Sequence, residues 1–230
     1  MIDLSTWELS IPTTPAPTDI STSRLVAGYS SQYFNRSSSQ IVFWVPVTGS
    51  HTEDSVFPRS ELRETHADGS DRNWYYNEGD NELRLTLSVE QVPSRDKVII
   101  GQIHSKSPYT DSGEPLVKLQ YHYLPSQGSG RIEALIRNHP DDEVSVNVPL
   151  LDNVPLGEHI SYSLRVTSVG NLGIRVRSGD GRQQYYKKIL STTWSRQLLY
   201  FKAGAYIADN YGNSSEGAKV TVYHLNMAHR

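Results

Sequence analysis

The sequence predicts an all-β protein, a sandwich, jelly roll or barrel of antiparallel strands, and three observations carry that prediction. Apolar and polar residues alternate in run after run, the period of a strand with one buried face. Clusters of Gly, Pro, Ser, Asn and Asp break those runs at short intervals. No long stretch shows the 3.6-residue periodicity of an amphipathic helix. With 230 residues, no internal repeat and no linker-like break, the chain is expected to form one domain, 1–230, able to bury its own core.

The elements follow in chain order. Arg59-Ser60-Glu61-Leu62-Arg63 alternates charged and uncharged residues, so a strand here puts Arg59, Glu61 and Arg63 on one face. Leu83, Leu85, Leu87 and Val89 give the next strand one apolar face. Val98-Ile99-Ile100 leads into Gln102-Ile103-His104, and strict alternation places Val98 and Ile100 on the face of Gln102 and His104. Val144, Val146 and Val148 mark another run. Ile160 to Val166 and Leu172 to Val176 read as two strands joined by the hairpin-turn sequence Val169-Gly170-Asn171. Tyr200-Phe201-Lys202-Ala203-Gly204-Ala205-Tyr206 aligns Tyr200, Lys202, Gly204 and Tyr206, with Gly204 leaving room for an approach to the backbone. The last strand is expected over Lys219 to Leu225. Stretches 125–130 and 178–181 are turns, and 12–23, 105–113 and 209–217 are candidate groove edges, because loops that end functional strands often border sites. An antiparallel sandwich with one sheet bent around a groove buries the apolar faces and presents the polar ones.

Composition narrows the function. The absence of cysteine excludes disulfides, thiolate metal sites and a cysteine nucleophile. A formal net charge of -3 gives no reason to expect a nucleic-acid partner, so an anionic partner needs a local basic patch. No apolar run approaches the roughly 20 residues that span a membrane, and no membrane partner is expected. The first residues lack the basic start and apolar stretch of a signal peptide. A secreted or periplasmic mature domain with an added Met is expected, a cytoplasmic protein being the alternative. A monomer is expected.

Three segments hold the candidate chemistry. Each has an ordinary structural reading: an ion-pair ladder around Glu61, a structural His104, plain strand tyrosines at Tyr200 and Tyr206. Together they form a β-elimination set. Arginine and the amide of Gln102 neutralise a carboxylate, His104 takes a proton, and Tyr206 gives one. Such a set suits a polyuronate, whose C5 hydrogen lies beside a carboxylate and whose C4 oxygen is the leaving group. No metal and no cofactor are needed, because the protein supplies the charge neutralisation. A glycoside hydrolase would need two carboxylates flanking the bond, whereas Glu61 is the one acid in these segments.

The three segments resemble the signature motifs of the alginate lyases of polysaccharide lyase family 7: Arg-(Ser/Thr)-Glu-(Leu/Val)-Arg, Gln-(Ile/Val)-His and Tyr-Phe-Lys-Ala-Gly-Xaa-Tyr, in that order. The opening Leu4-Ser5-Thr6-Trp7-Glu8-Leu9 and the closing Val222-Tyr223-His224-Leu225 are also similar to family ends. The resemblance implies a concanavalin-like β-jelly roll with a concave, positively lined cleft and alginate as the anionic polysaccharide partner. It implies Arg59 and Gln102 as carboxylate neutralisers, His104 as base and Tyr206 as acid. It implies Glu61, Arg63, Tyr200 and Lys202 as substrate-binding residues. Isoleucine between Gln and His accompanies activity on guluronate-containing blocks in that family, so a preference for such blocks is expected; endolytic cleavage is a separate expectation. The family often continues its third motif with Asn-Gln, where this chain has Ile207-Ala208, so subsite contacts differ there. A lyase on another polyuronate such as glucuronan, or a non-catalytic polyuronate-binding jelly roll, are the alternatives. A base with the ordinary histidine pKa predicts activity falling below about pH 6.5.

Overall fold

The computed structural model describes residues 1–52, 55–110 and 112–230. Its strands are β1 (Trp7–Ile11), β2 (Thr18–Ile20), β3 (Phe34–Arg36), β4 (Ile41–Pro46), β5 (Arg59–Glu64), β6 (Asn81–Gln91), β7 (Lys97–Lys106) and β8 (Val117–Leu124). They continue with β9 (Ser129–Ile136), β10 (Val146–Val154), β11 (Ile160–Val166), β12 (Asn171–Ser178), β13 (Gln183–Ile189), β14 (Leu198–Tyr206) and β15 (Gly217–His229). One helix, α1 (Thr22–Val26), and two 3-10 turns complete the described elements.

The strands form two antiparallel sheets. One runs β10-β9-β8-β7-β14-β5-β1-β2 and the other β13-β12-β11-β6-β15-β4-β3. Between them lies the core, with Trp7, Phe34, Phe43, Tyr121, Trp194 and Phe201 fully buried. Each such side chain contributes about 1.5–3 kcal/mol of burial free energy, so this interior dominates the favourable side of folding. The all-β jelly roll expected from the sequence is what the chain forms.

Alternation explains most of the sheet. Leu83, Leu85, Leu87 and Val89 all face the core from β6. Gly170 turns the β11–β12 hairpin at φ 77°, and Val166 pairs with Leu172 as the turn sequence requires. Seven strands, β1 to β4, β8, β9 and β13, were not among the expected runs. Trp7/Leu9/Ile11, Ile41/Phe43/Val45 and Val117/Leu119/Tyr121 carry the signal in the first, fourth and eighth.

Four expectations change. Val144 lies outside β10 and is exposed, because β10 is an edge strand whose buried residues are Leu150, Leu151 and Val154. The stretch 12–23 contains β2 and the start of α1 rather than a plain loop. β15 extends to His229, since a bulge between Val222 and His224 shifts the alternation and hides the continuation. Within the candidate edge 105–113, Ser105 and Lys106 belong to β7 and Asp111 lies outside the described residues.

A fifth change bears on the site. In β7, Ile99 pairs with Gln120 and Gly101 with Leu119, so Ile100 is an extra residue, a β-bulge. Val98 and Ile100 therefore face the core, fully buried, while Ile99 joins Gln102 and His104 on the outer face. Tyr162 of the opposite sheet holds this bulge. Its hydroxyl donates to the Ile100 carbonyl at 2.8 Å, and burial raises its pKa well above the ordinary value, so it remains a donor. A Cβ on Gly101 would lie 2.1 Å from that hydroxyl oxygen, which restricts the position to glycine.

Candidate active site

The three segments become adjacent strands, β7-β14-β5, in the middle of the eight-stranded sheet. Register brings their outward residues into rows. Gln102, Lys202 and Arg63 share one row, His104 and Tyr200 lie on one side of it, and Glu61 with Gly204, then Arg59 with Tyr206, lie on the other. All eight candidate residues thus occupy one patch on one face. The intervening Ser60, Leu62, Ile103, Phe201 and Ala203 are buried on the core side.

Glu61 is the centre of the patch and is 1% exposed. Gln102 Nε2 donates to its Oε1 at 2.5 Å, Lys202 Nζ lies 2.8 Å from its Oε2, and Arg59 Nη1 lies 3.6 Å from the same oxygen. Burial pushes this carboxyl up, but the charges of Lys202 and Arg59 and the hydrogen bonds from Lys202 and Gln102 hold it below its ordinary value. Burial lowers the Lys202 pKa, with Glu61 opposing. The expected ladder of Glu61 between two arginines keeps its Arg59 rung alone, and Lys202 and Gln102 supply the closer partners. Arg63 turns away from Glu61. Its terminal nitrogens donate to Asp71 Oδ2 at 2.9 Å, Asn73 Oδ1 at 2.6 Å, the Arg72 carbonyl at 3.1 Å and the Glu64 carbonyl. Its guanidinium also covers the Tyr200 ring, 4.3 Å from the centroid. Arg63 in this state is a brace for Tyr200.

Gly204 serves the sheet rather than an approaching ligand. Its φ is +139°, and a Cβ would lie 2.6 Å from the Ser60 carbonyl oxygen and 3.1 Å from Phe43.

His104 has the most informative environment. Its Nδ1 lies 2.8 Å from the Ser105 carbonyl oxygen, and a carbonyl only accepts, so Nδ1 carries the proton. That leaves the Nε2 lone pair free to take one. The ring stacks on Tyr200 at 5.1 Å between centroids, and the Tyr200 hydroxyl is 3.1 Å from Nδ1. Burial lowers the His104 pKa to about 3, aided by Lys202 and Arg59 and opposed by the Ser105 carbonyl and Glu61. Burial likewise pushes Tyr200 up to about 12, so its phenol remains protonated.

The pH expectation therefore moves. A histidine lowered this far is neutral across the range in which an ordinary one titrates, so kcat/KM, which reports the free enzyme, should persist below pH 6.5. A pH–rate profile over the range in which the enzyme stays folded checks this, and an acid limb centred near pH 6.5 contradicts it. The same shift opposes folding in acid. Between pH 6.5 and about 3 the unfolded chain binds a proton that folded His104 refuses, so stability falls as pH drops through that window.

At the far end of the patch, the Tyr206 hydroxyl is 3.3 Å from Ser55 Oγ, and Arg59 covers its ring at 4.4 Å. The charge of Arg59 also helps to depress His104. Ala208 is exposed just beyond β14. Three further residues join the patch that the motifs did not mark. Lys118 on β8 pairs in register with Gln102, and Glu8 on β1 pairs with Arg63. Ser55 is the third. Lys118/Gln120/His122 alternation on β8 and Glu8 between Trp7 and Leu9 were the available signals; nothing local marks Ser55.

The family model described as alginate lyase matches residues 2–229. An alginate lyase of Klebsiella pneumoniae is 28% identical over 283 residues, covering 99% of this chain and 89% of that protein. The crystal structure of an alginate lyase from Pseudomonas aeruginosa superposes with a TM-score of 0.93 at 46% identity, covering 99% of this chain and 100% of that one. Alginate lyase A1-II', a member of polysaccharide lyase family 7, superposes with a TM-score of 0.86 at 29% identity, covering 99% and 96%. With its three motifs gathered on one sheet face, the chain belongs to the alginate lyases of polysaccharide lyase family 7.

Proposed function

We propose that the chain cleaves the 1,4-linkage of alginate by β-elimination, endolytically, as one catalytic domain with a preference for guluronate-containing blocks. The observation that carries this reading is neutral His104 with a free Nε2 beside cations and a phenol on one face.

Arg59 and the second amide hydrogen of Gln102 bind the uronate carboxylate and draw charge from C5. His104 Nε2 takes the C5 proton. The C5–H electron pair becomes the C4=C5 double bond, and the C4–O bond breaks. Tyr206 gives its hydroxyl proton to the departing oxygen, so a new non-reducing end carries the unsaturation. Glu61 and Lys202 hold Gln102 in place, and Tyr200 holds the ring of His104.

Relatives support the substrate. A1-II' has been crystallised with the product GGG in one variant and with the substrate GGMG in another that carries a His→Asn and a Tyr→Phe replacement. Endolytic cleavage is favoured by the central position of β7, β14 and β5, with three strands on one side and two on the other. The guluronate preference rests on the Ile103 correlation within the family. Ile103 itself is fully buried in the core, so any influence reaches sugar through the placement of Gln102 and His104.

Purified guluronate, mannuronate and mixed blocks, followed by ultraviolet absorbance and product sizing, test the proposal. Unsaturated oligomers of intermediate length, released fastest from guluronate-containing blocks, are expected. New reducing ends without absorbance would show hydrolysis, and release of monomer alone would show exolytic action.

A further inference from the structure

The outward face of the other sheet carries a second groove that the elimination chemistry does not use. It encloses about 500 Å³ over β6, β11, β12 and β13, and a contiguous hollow of about 420 Å³ shares Arg165, Gly173 and Tyr185 with it. The sandwich core separates this groove from the candidate active site.

Its charge runs against that of the chain. Arg84, Arg165, Arg175, Arg177 and Lys187 line the two hollows, in a protein whose formal net charge is -3. Arg84 pairs with Glu82 at 2.8 Å and Arg165 with Asp80 at 2.5 Å. Among the described residues no carboxylate lies within ion-pair distance of Arg175, Arg177 or Lys187. Three exposed cations held side by side without counter-charges fit an anionic ligand.

The placement is regular. Arg84 on β6 and Arg175 on β12 flank Ser163 of β11 in one row of the sheet. Two strand spacings separate them, roughly 10 Å. Tyr185 continues the row on β13 and lies over Gly173, where a Cβ would meet its hydroxyl oxygen at 2.9 Å. Arg175 and Lys187 stand 5.1 and 5.0 Å from the Tyr185 ring centroid and fix its orientation, yet the residue is 46% exposed. An exposed aromatic ring laid on a sheet offers a face to the C–H groups of a pyranose. Guanidinium forks beside it suit carboxylates. Sugar platform and carboxylate receptors together describe a polyuronate.

We propose that this groove is a second, non-catalytic alginate-binding site, which holds another segment of the polymer while the opposite face cleaves. It rests on the reading of alginate as substrate. Engaging the polymer at two places raises its effective concentration at the cleft, so the benefit is confined to chains long enough to reach both faces.

The test compares wild type with the triple variant Arg175→Ala, Arg177→Ala, Lys187→Ala, on polymeric alginate and on short oligosaccharides. A control variant, Arg24→Ala, Arg196→Ala, Lys219→Ala, removes the same charge from exposed positions elsewhere. On polymer the groove variant should show KM raised roughly three- to tenfold, the size expected of three exposed ion pairs, with kcat unchanged. Its kinetics on short oligosaccharides should match wild type. An unchanged KM on polymer, or an equal rise in the control variant, overturns the proposal. Failure of wild type to form unsaturated products would instead overturn the catalytic reading. Electrophoretic retardation in alginate-containing gels, in a Tyr206→Phe background, compares the groove and control variants with cleavage suppressed and cleft binding common to both. Undiminished retardation of the groove variant overturns the second site, and retardation weakened only there supports it.

Discussion

Tyr206→Phe and His104→Ala should each lower kcat by about 10²- to 10⁴-fold, the range lost when a positioned general acid or base is removed. Tyr206→Phe deletes one proton-transfer atom, and His104→Ala removes the imidazole with its stack on Tyr200, on the outer face of the sheet rather than in the core. Tyr206 keeps its ring under Arg59 as phenylalanine, and His104 is only partly buried. Circular dichroism and melting temperature should therefore stay close to wild type, and substrate affinity should survive. The pair should also be non-additive, because proton removal and leaving-group protonation serve one elimination. Initial rates by ultraviolet absorbance on each single variant and on the double variant measure this. Rates within a few-fold of wild type in both single variants would remove His104 and Tyr206 from the mechanism.

Glu61→Ala should unfold the protein more readily than any other change in the patch. It strands the Lys202 ammonium, 8% exposed, without its counter-ion 2.8 Å away. Removing one member of a buried pair typically costs about 3–5 kcal/mol, and in a domain of this size that lowers Tm by on the order of 10 °C. Lys202→Met added to Glu61→Ala should restore most of the loss, because the orphaned charge is gone. Thermal melts of the two variants make the comparison. Equal deficits in the single and double variants would mean that Glu61 stabilises the sheet by some means other than its pairing with Lys202. Activity should not return with stability, since Gln102 has lost the acceptor that orients its amide.

How far the sequence reached depends on how local the cause was. The all-β class, the β11–β12 hairpin and the shared face of Arg59, Glu61 and Arg63 follow from alternation and one glycine turn, both contained in a few residues. The eight candidate residues could be grouped from the sequence because each motif sits on one strand and the strands became neighbours. What escaped is set by cross-strand partners. Glu61 bonds Lys202 and Gln102 rather than Arg63, whose guanidinium is taken up by Asp71, Asn73 and the Tyr200 ring. His104 is far less basic than a free imidazole because of what covers it. Lys118 and Glu8 enter the patch through β8 and β1, strands that carry no motif. The phase of β7 was misread because a bulge is invisible to a count by twos, and the hydroxyl that bonds it, that of Tyr162, lies 62 residues away on the other sheet.

That hydrogen bond has a consequence for recombining parts of this protein. The strand of Gln102 and His104 is tied from behind: Tyr162 bonds the spare residue of the bulge, and the bulge sets which way Gln102 and His104 look. A chimera that exchanges the two sheets between relatives can preserve every motif residue and still point the base into the core. Tyr162, Ile100 and Gly101 have to travel together as one inherited unit, although only two of them share a strand.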